Sequence, residues 1–148
     1  MKFIDKFNTI IHKPFFSKYS TLMGLWALLG VIAWITKYFP GKYNNFSIFS
    51  KTFAHFITSF ISPPLPLYAA YPEEYNDIFH YGPVFSLVVA PFAITPLWLG
   101  LLTWSVAQSL FLFWAVKMLP GIKRERIFIY WFCAHELLTS LFMSQFNI

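Results

Sequence analysis

The 148-residue chain is 57% hydrophobic and 22% aromatic, only 11% charged, and carries a formal charge of +5. A soluble domain carries roughly 25% charged residues, so this chain has too little polar surface to cover a water-facing globule. That excludes a soluble enzyme and predicts an all-α, polytopic membrane protein. The single cysteine, Cys133, excludes an internal disulfide and reads as a small core residue.

Residues 1–19 mix Lys2, Lys6, Lys13 and Lys18 with Phe3, Phe7, Phe15, Phe16 and Tyr19, the pattern of a segment lying on a membrane surface. The run TLMGLWALLGVIAWIT carries no charge, and with its flanks (20–39) it matches the roughly 20 residues needed to cross a bilayer. Lys37-Tyr38-Phe39-Pro40 follows instead of a small-residue cleavage site, so an uncleaved first span is expected, ended by Pro40-Gly41.

Residues 40–96 form a long loop between spans. Within it, SIFSKTFAHFITSFI (47–61) places Phe49, Phe53, Phe56, Ile57 and Phe60 on one helical face, and Lys51 and His55 argue that this helix lies along the interface. SPPLP (62–66) breaks the helix. The apolar stretch 82–95 contains Pro91, is closed by Pro96, and is too short to cross, so a second interfacial helix is expected there. A second span is predicted at 97–117, a basic turn PGIKRER within 118–126, and a third span at 127–146 containing His135 and Glu136.

With three spans, Lys2, Lys6, Lys13, Lys18, Lys117, Lys123, Arg124 and Arg126 fall on one side, 8 of the 11 basic residues. The positive-inside rule then places 1–19 and 118–126 in the cytoplasm and 40–96 outside.

Of the six acidic residues, Glu73, Glu74 and Asp77 cluster in YPEEYNDIFHYGP (71–83), with His80 close behind. Clustered carboxylates at a membrane surface suit a general base or cation binding. They equally suit a solvated turn before a helix starting near His80 or Tyr81. His80 is either an acid–base or phosphate contact or an interfacial histidine. Glu136 lies deep in an apolar run, where a carboxylate is costly. It must face a protein interior, a water-filled cavity or a partner helix. The Lys123-Arg124-Arg126 cluster reads as a topology anchor that also attracts anionic headgroups of membrane lipids. No phosphate-cradling glycine loop, Ser/His/Asp order or zinc spacing occurs, so no cofactor and no metal is expected. No interleaved basic-aromatic surface suggests nucleic acid either.

The order of parts resembles the N-terminal module of GT-C glycosyltransferases, and within them glycosyltransferase family 87, the polyprenol-phosphate-dependent hexosyltransferases. The residues carrying the likeness are YNNFSIFSKTFAHFI (43–57), LYAAYPEEYNDIFHYGPVFSLVVAPFAITP (67–96) and ELLTSLFMSQFN (136–147). The resemblance implies a single membrane module over 1–148 that takes a sugar from a lipid-linked phosphate donor at the external face, usually with inversion. It implies a multi-pass protein of the cell membrane, the bacterial inner membrane, with a cytoplasmic N-terminus. It also implies a catalytic carboxylate in the first external loop, at the position of Tyr43-Asn44-Asn45. Here the sequence departs, because Asn44 and Asn45 can orient a hydroxyl but cannot accept its proton. The base is then expected among Glu73, Glu74 and Asp77, with Asn44, Asn45, His80 and Glu136 as substrate contacts. Such enzymes carry more than three spans, so the chain is expected to be a fragment whose missing C-terminal part supplies partner helices. A non-catalytic membrane binding or assembly protein on the same scaffold is the main alternative. A transporter segment, resting on Glu136 and the span count, is a third.

Overall fold

The computed structural model describes residues 2–61 and 65–143. Among them six helices and no strands occur, as the all-α expectation requires: α1 (Lys2–Ile11), α2 (Tyr19–Tyr38), α3 (Asn44–Thr58), α4 (Pro83–Ala93), α5 (Leu97–Met118) and α6 (Lys123–Met143). Two of the helix-breaking prolines, Pro63 and Pro64, and residues 144–146 of the third expected span lie outside the described residues.

Two helices are long and apolar enough to cross a membrane, Tyr19–Tyr38 with 20 residues and Leu97–Met118 with 22. At 1.5 Å per residue they extend about 30 Å, the thickness of a hydrocarbon core. They form the most extensive helix pair among the described residues. Gly30 makes this approach possible, since a Cβ there would lie 2.9 Å from the Ser105 carbonyl oxygen. The third expected span differs from its prediction. Helix α6 begins at Lys123, four residues before Ile127, and takes Lys123, Arg124, Glu125 and Arg126 into its first turn. Glu125 Oε2 accepts the Ile122 N–H at 3.0 Å, which lets the charged stretch start the helix instead of forming a turn before it. Among the described residues, α6 is not one of the helices that are long and apolar enough to cross.

Trp26, Phe113 and Tyr130 join α2, α5 and α6. Tyr130 stacks on Phe113 at 4.8 Å and meets Trp26 edge-on at 5.2 Å. The buried Tyr130 hydroxyl donates to the Phe113 carbonyl at 2.9 Å, so its polar end is satisfied. The N-terminal segment sits at the same end of the bundle as the basic residues of α6. His12 Nε2 lies 3.2 Å from the Arg124 carbonyl, Arg126 Nε donates to the Tyr19 hydroxyl at 3.1 Å, and Trp131 Nε1 donates to the Phe16 carbonyl at 3.2 Å. At the opposite end Asn45 Nδ2 donates to the Met143 carbonyl, tying α3 to the far end of α6.

The amphipathic helix of the long loop starts earlier and turns a different face inward than its aromatic spacing suggests. α3 buries Phe46, Ile48, Phe49, Thr52 and His55, whereas Ile57 and Phe60 are exposed. Phe49 forms the centre of a second core, meeting Phe85 at 5.1 Å, Tyr81 at 5.3 Å and Trp104 at 5.9 Å. α4 starts at Pro83, after Gly82, and accommodates Pro91 near its C-terminal end. Pro83 suits a first helical position because its missing N–H would have no partner there.

Candidate active site

The acidic stretch folds back over α3. Backbone bonds from Glu74 N and Tyr75 N to the Tyr71 carbonyl, 2.8 and 3.0 Å, close a turn. Tyr75 and Phe79, spaced by four, then plunge into the second core, 3% and 1% exposed. With Tyr75 and Phe79 held in the core, Glu73 and Glu74 before Tyr75 and Asp77 between the two anchors point in different directions.

Glu73 is exposed and makes no hydrogen bond or ion pair with a described residue. Glu74 turns onto α3, where its Oε2 lies 3.0 Å from Nε2 of the buried His55 and its Oε1 3.9 Å from Lys51 Nζ. A carboxylate only accepts, so the His55 Nε2 carries the proton of this bond. The imidazole also packs on the Tyr71 ring at 4.3 Å between centroids. Its Nδ1 is buried with no hydrogen-bond partner among the described residues. Asp77 turns elsewhere: Oδ1 accepts the Ile78 N–H at 2.8 Å and lies 3.8 Å from His80 Nε2, both side chains being largely exposed.

The two asparagines hold the loop. Asn44 Oδ1 accepts the Asn76 N–H at 2.9 Å, while Asn45 makes the bond to Met143. Tyr75, the first of the two anchors, lies beside Thr52 of α3. Burial pushes its hydroxyl above the ordinary 10.0, and the neighbouring Tyr71 and Glu74 add to the rise. Neither the Thr52 nor the Tyr75 hydroxyl has a hydrogen-bond partner among the described residues.

Two cavities flank α3. One, of about 350 Å³, is lined by Asn45, Ile48, Phe49, Asp77, Ile78, His80 and Tyr81. The other, of about 400 Å³, contains Lys51 and Glu74 together with Ser47, Ser50 and Thr95, and is walled by Phe46, Phe92 and Leu97. Phe92 also lines an apolar groove of about 520 Å³ with Val31, Leu102, Val106 and Leu110, between α2 and α5.

The predicted site residues thus divide. Asn45, Asp77 and His80 share the first cavity and Glu74 occupies the second. Glu136 lies on α6 with its side chain 81% exposed, 3.6 Å from His135. Among the described residues no three His, Cys, Asp or Glu side chains are grouped as metal ligands would be. Lys51 and His55 were legible in the sequence only as polar interruptions of an interfacial helix. The signal that marks His55 is its spacing, on the same stripe as the buried Ile48 and Thr52.

A helical scaffold built on two apolar, membrane-length helices therefore carries a cationic and acidic pocket beside an apolar groove. The family model of glycosyltransferase family 87 matches residues 79–148, just under half of the chain. This is the family whose features the sequence resembles, and α4, α5 and α6 carry the match. It begins after Glu73, Glu74 and Asp77, so it covers Phe92, Thr95 and Leu97 of the second cavity but not its charged side chains. No curated protein and no solved structure matches the chain.

Proposed function

We propose that the chain serves as a membrane hexosyltransferase that takes its sugar from a polyprenyl-phosphate donor at the external face. In this reading α2, α5 and α6 span the cell membrane, the bacterial inner membrane, with the N-terminus and the basic start of α6 cytoplasmic. The clustering of the N-terminal segment with Arg124 and Arg126 at one end supports that orientation through the positive-inside rule.

One observation carries the reading. The pocket holding Lys51 and Glu74 shares its Phe92 wall with an apolar groove between α2 and α5. An amphipathic donor needs this succession: hydrocarbon for the polyprenyl chain, a cation for the phosphate, and a carboxylate for the reacting end. Lys51 neutralises the phosphate, with Ser47, Ser50 and Thr95 as hydroxyl contacts. Glu74, oriented by His55, is the base. The acceptor hydroxyl attacks the anomeric carbon of the sugar and its proton passes to Glu74. The bond from that carbon to the phosphate oxygen breaks, and its electron pair leaves with the polyprenyl phosphate. A phosphate arriving beside Glu74 raises the carboxylate's proton affinity by like-charge repulsion, which favours the transfer.

A non-catalytic membrane binding or assembly protein is the second reading. It is favoured by the engagement of Glu74 with both His55 and Lys51, which suits a purely structural carboxylate. The experiment is a transfer assay in liposomes with a radiolabelled polyprenyl-phosphate hexose, comparing wild type with Lys51→Gln. The enzyme reading expects transfer that falls at least tenfold in the variant. Donor binding that depends on Lys51 without transfer supports the second reading. Wild-type protein that neither binds nor transfers overturns both.

A further inference from the structure

The outward face of α6 has no place in the donor site. Phe128, Phe132, His135, Glu136, Thr139 and Met143 recur at helical spacing along one exposed stripe. Phe132 is 69% exposed and stacks on Phe128 at 5.8 Å. His135 and Glu136 are 83% and 81% exposed and lie 3.6 Å apart. If α6 spans, as the proposed function holds, a carboxylate and an imidazole on this face cannot stand against hydrocarbon.

We propose that this stripe is covered by a second copy of the same chain, in a parallel two-fold contact centred on His135 and Glu136. Copies in one membrane share one orientation, so two α6 helices related by an axis along the membrane normal meet at equal depth. Adjacent helical residues differ in depth by about 1.5 Å. Glu136 of each copy therefore reaches His135 of the other, and both pairs close at once. The pair is self-complementary: one donor and one acceptor stand at a single depth. A partner offering only a cation or only an anion would leave one of them unmatched. Phe132 on one side and Thr139 on the other extend the contact along the helices.

The test is self-association of the full chain in liposomes at defined protein-to-lipid ratios. It uses Thr139→Cys in a Cys133→Ala background for disulfide capture and fluorescence transfer for the equilibrium. The wild-type face should give a captured dimer, and Glu136→Ala should weaken association about tenfold, the scale of two interhelical polar contacts. The exchange His135→Glu with Glu136→His keeps one donor and one acceptor at that depth and should restore association to within about twofold of wild type. A monomer across the whole range, an unchanged Glu136→Ala equilibrium, or an exchange as weak as the single variant each overturns the proposal. Cysteines at Lys123 and Met143, probed with impermeant reagents, test the span separately. Labelling from opposite faces with no dimer rejects the contact alone, whereas labelling from one face rejects the spanning reading beneath it.

Discussion

Replacing Glu74 by glutamine separates the charge of this side chain from its shape. In the wild type Glu74 Oε2 accepts from the buried His55 at 3.0 Å, and Lys51, half exposed, is a looser partner at 3.9 Å. The amide oxygen of Glu74→Gln still accepts from Nε2, so the imidazole keeps its one partner. The substitution removes only the exposed ion pair with Lys51, an interaction worth about 0–1 kcal/mol. Stability should therefore drop by no more than about 1 kcal/mol. An amide cannot take a proton, however, and removing a general base costs a factor of about 10²–10⁴ in rate. Glu74→Ala differs in kind. It leaves both nitrogens of a buried imidazole without partners and should cost about 1–3 kcal/mol in addition to activity. The assay pairs thermal unfolding in detergent with sugar transfer and donor binding in liposomes. Glu74→Gln should fold like wild type, bind donor through Lys51 and fail to transfer. Transfer within about threefold of wild type by Glu74→Gln would refute the assignment of the base. Equal destabilisation by Gln and Ala would refute the account of the His55 hydrogen bond.

Two further substitutions probe the frame around the pocket. A Cβ at Gly100 would collide with the Phe92 carbonyl and stand 3.0 Å from the Phe46 ring, so Gly100→Ala should cost about 1–3 kcal/mol, read as a lowered Tm. Tyr75→Phe removes a buried hydroxyl that lacks a hydrogen-bond partner among the described residues and should be neutral or slightly stabilising at pH 7. The folded pKa of Tyr75 is raised, so the native state holds its proton more tightly than the unfolded chain. That contribution is complete below the ordinary 10.0 and is lost as pH rises through the folded value. Tyr75→Phe should therefore flatten the alkaline fall in stability. An unchanged profile above pH about 10 would refute the role assigned to Tyr75.

The first and second long helices were legible to within a residue, because uninterrupted apolar runs end at Tyr38-Phe39-Pro40 and begin after Pro96. The start of α6 was not, since Lys123, Arg124, Glu125 and Arg126 suit a turn and a charged first helical turn equally well; the Glu125 bond to Ile122 decides between them. The inward face of α3 was hidden for a related reason. In a chain this rich in phenylalanine, aromatic spacing does not distinguish a face toward protein from a face toward solvent or lipid. Phe60 is outside and Thr52 and His55 are inside. The acidic cluster was visible as a cluster, but its partition was not. The contacts that split it, Tyr75 and Phe79 into the core and Glu74 onto His55, join segments far apart in sequence.

On the proposed function, that partition narrows the choice of base. The two cavities lie on opposite sides of α3: Asn45, Ile48 and Phe49 wall one, and Ser47, Ser50, Lys51 and Ala54 wall the other. A helix with its side chains is about 10–12 Å across, so a carboxylate on one side cannot reach a hydroxyl poised on the other. Only the side holding Lys51 and Glu74 adjoins the apolar groove, through Phe92. On the proposed function, a donor with a hydrocarbon tail in that groove presents its sugar to Glu74 and not to Asp77. Gly100 then matters to function as well as to packing. Its missing side chain lets α5 approach the end of α4 where Phe92 sits, and the position of Phe92 sets whether pocket and groove join.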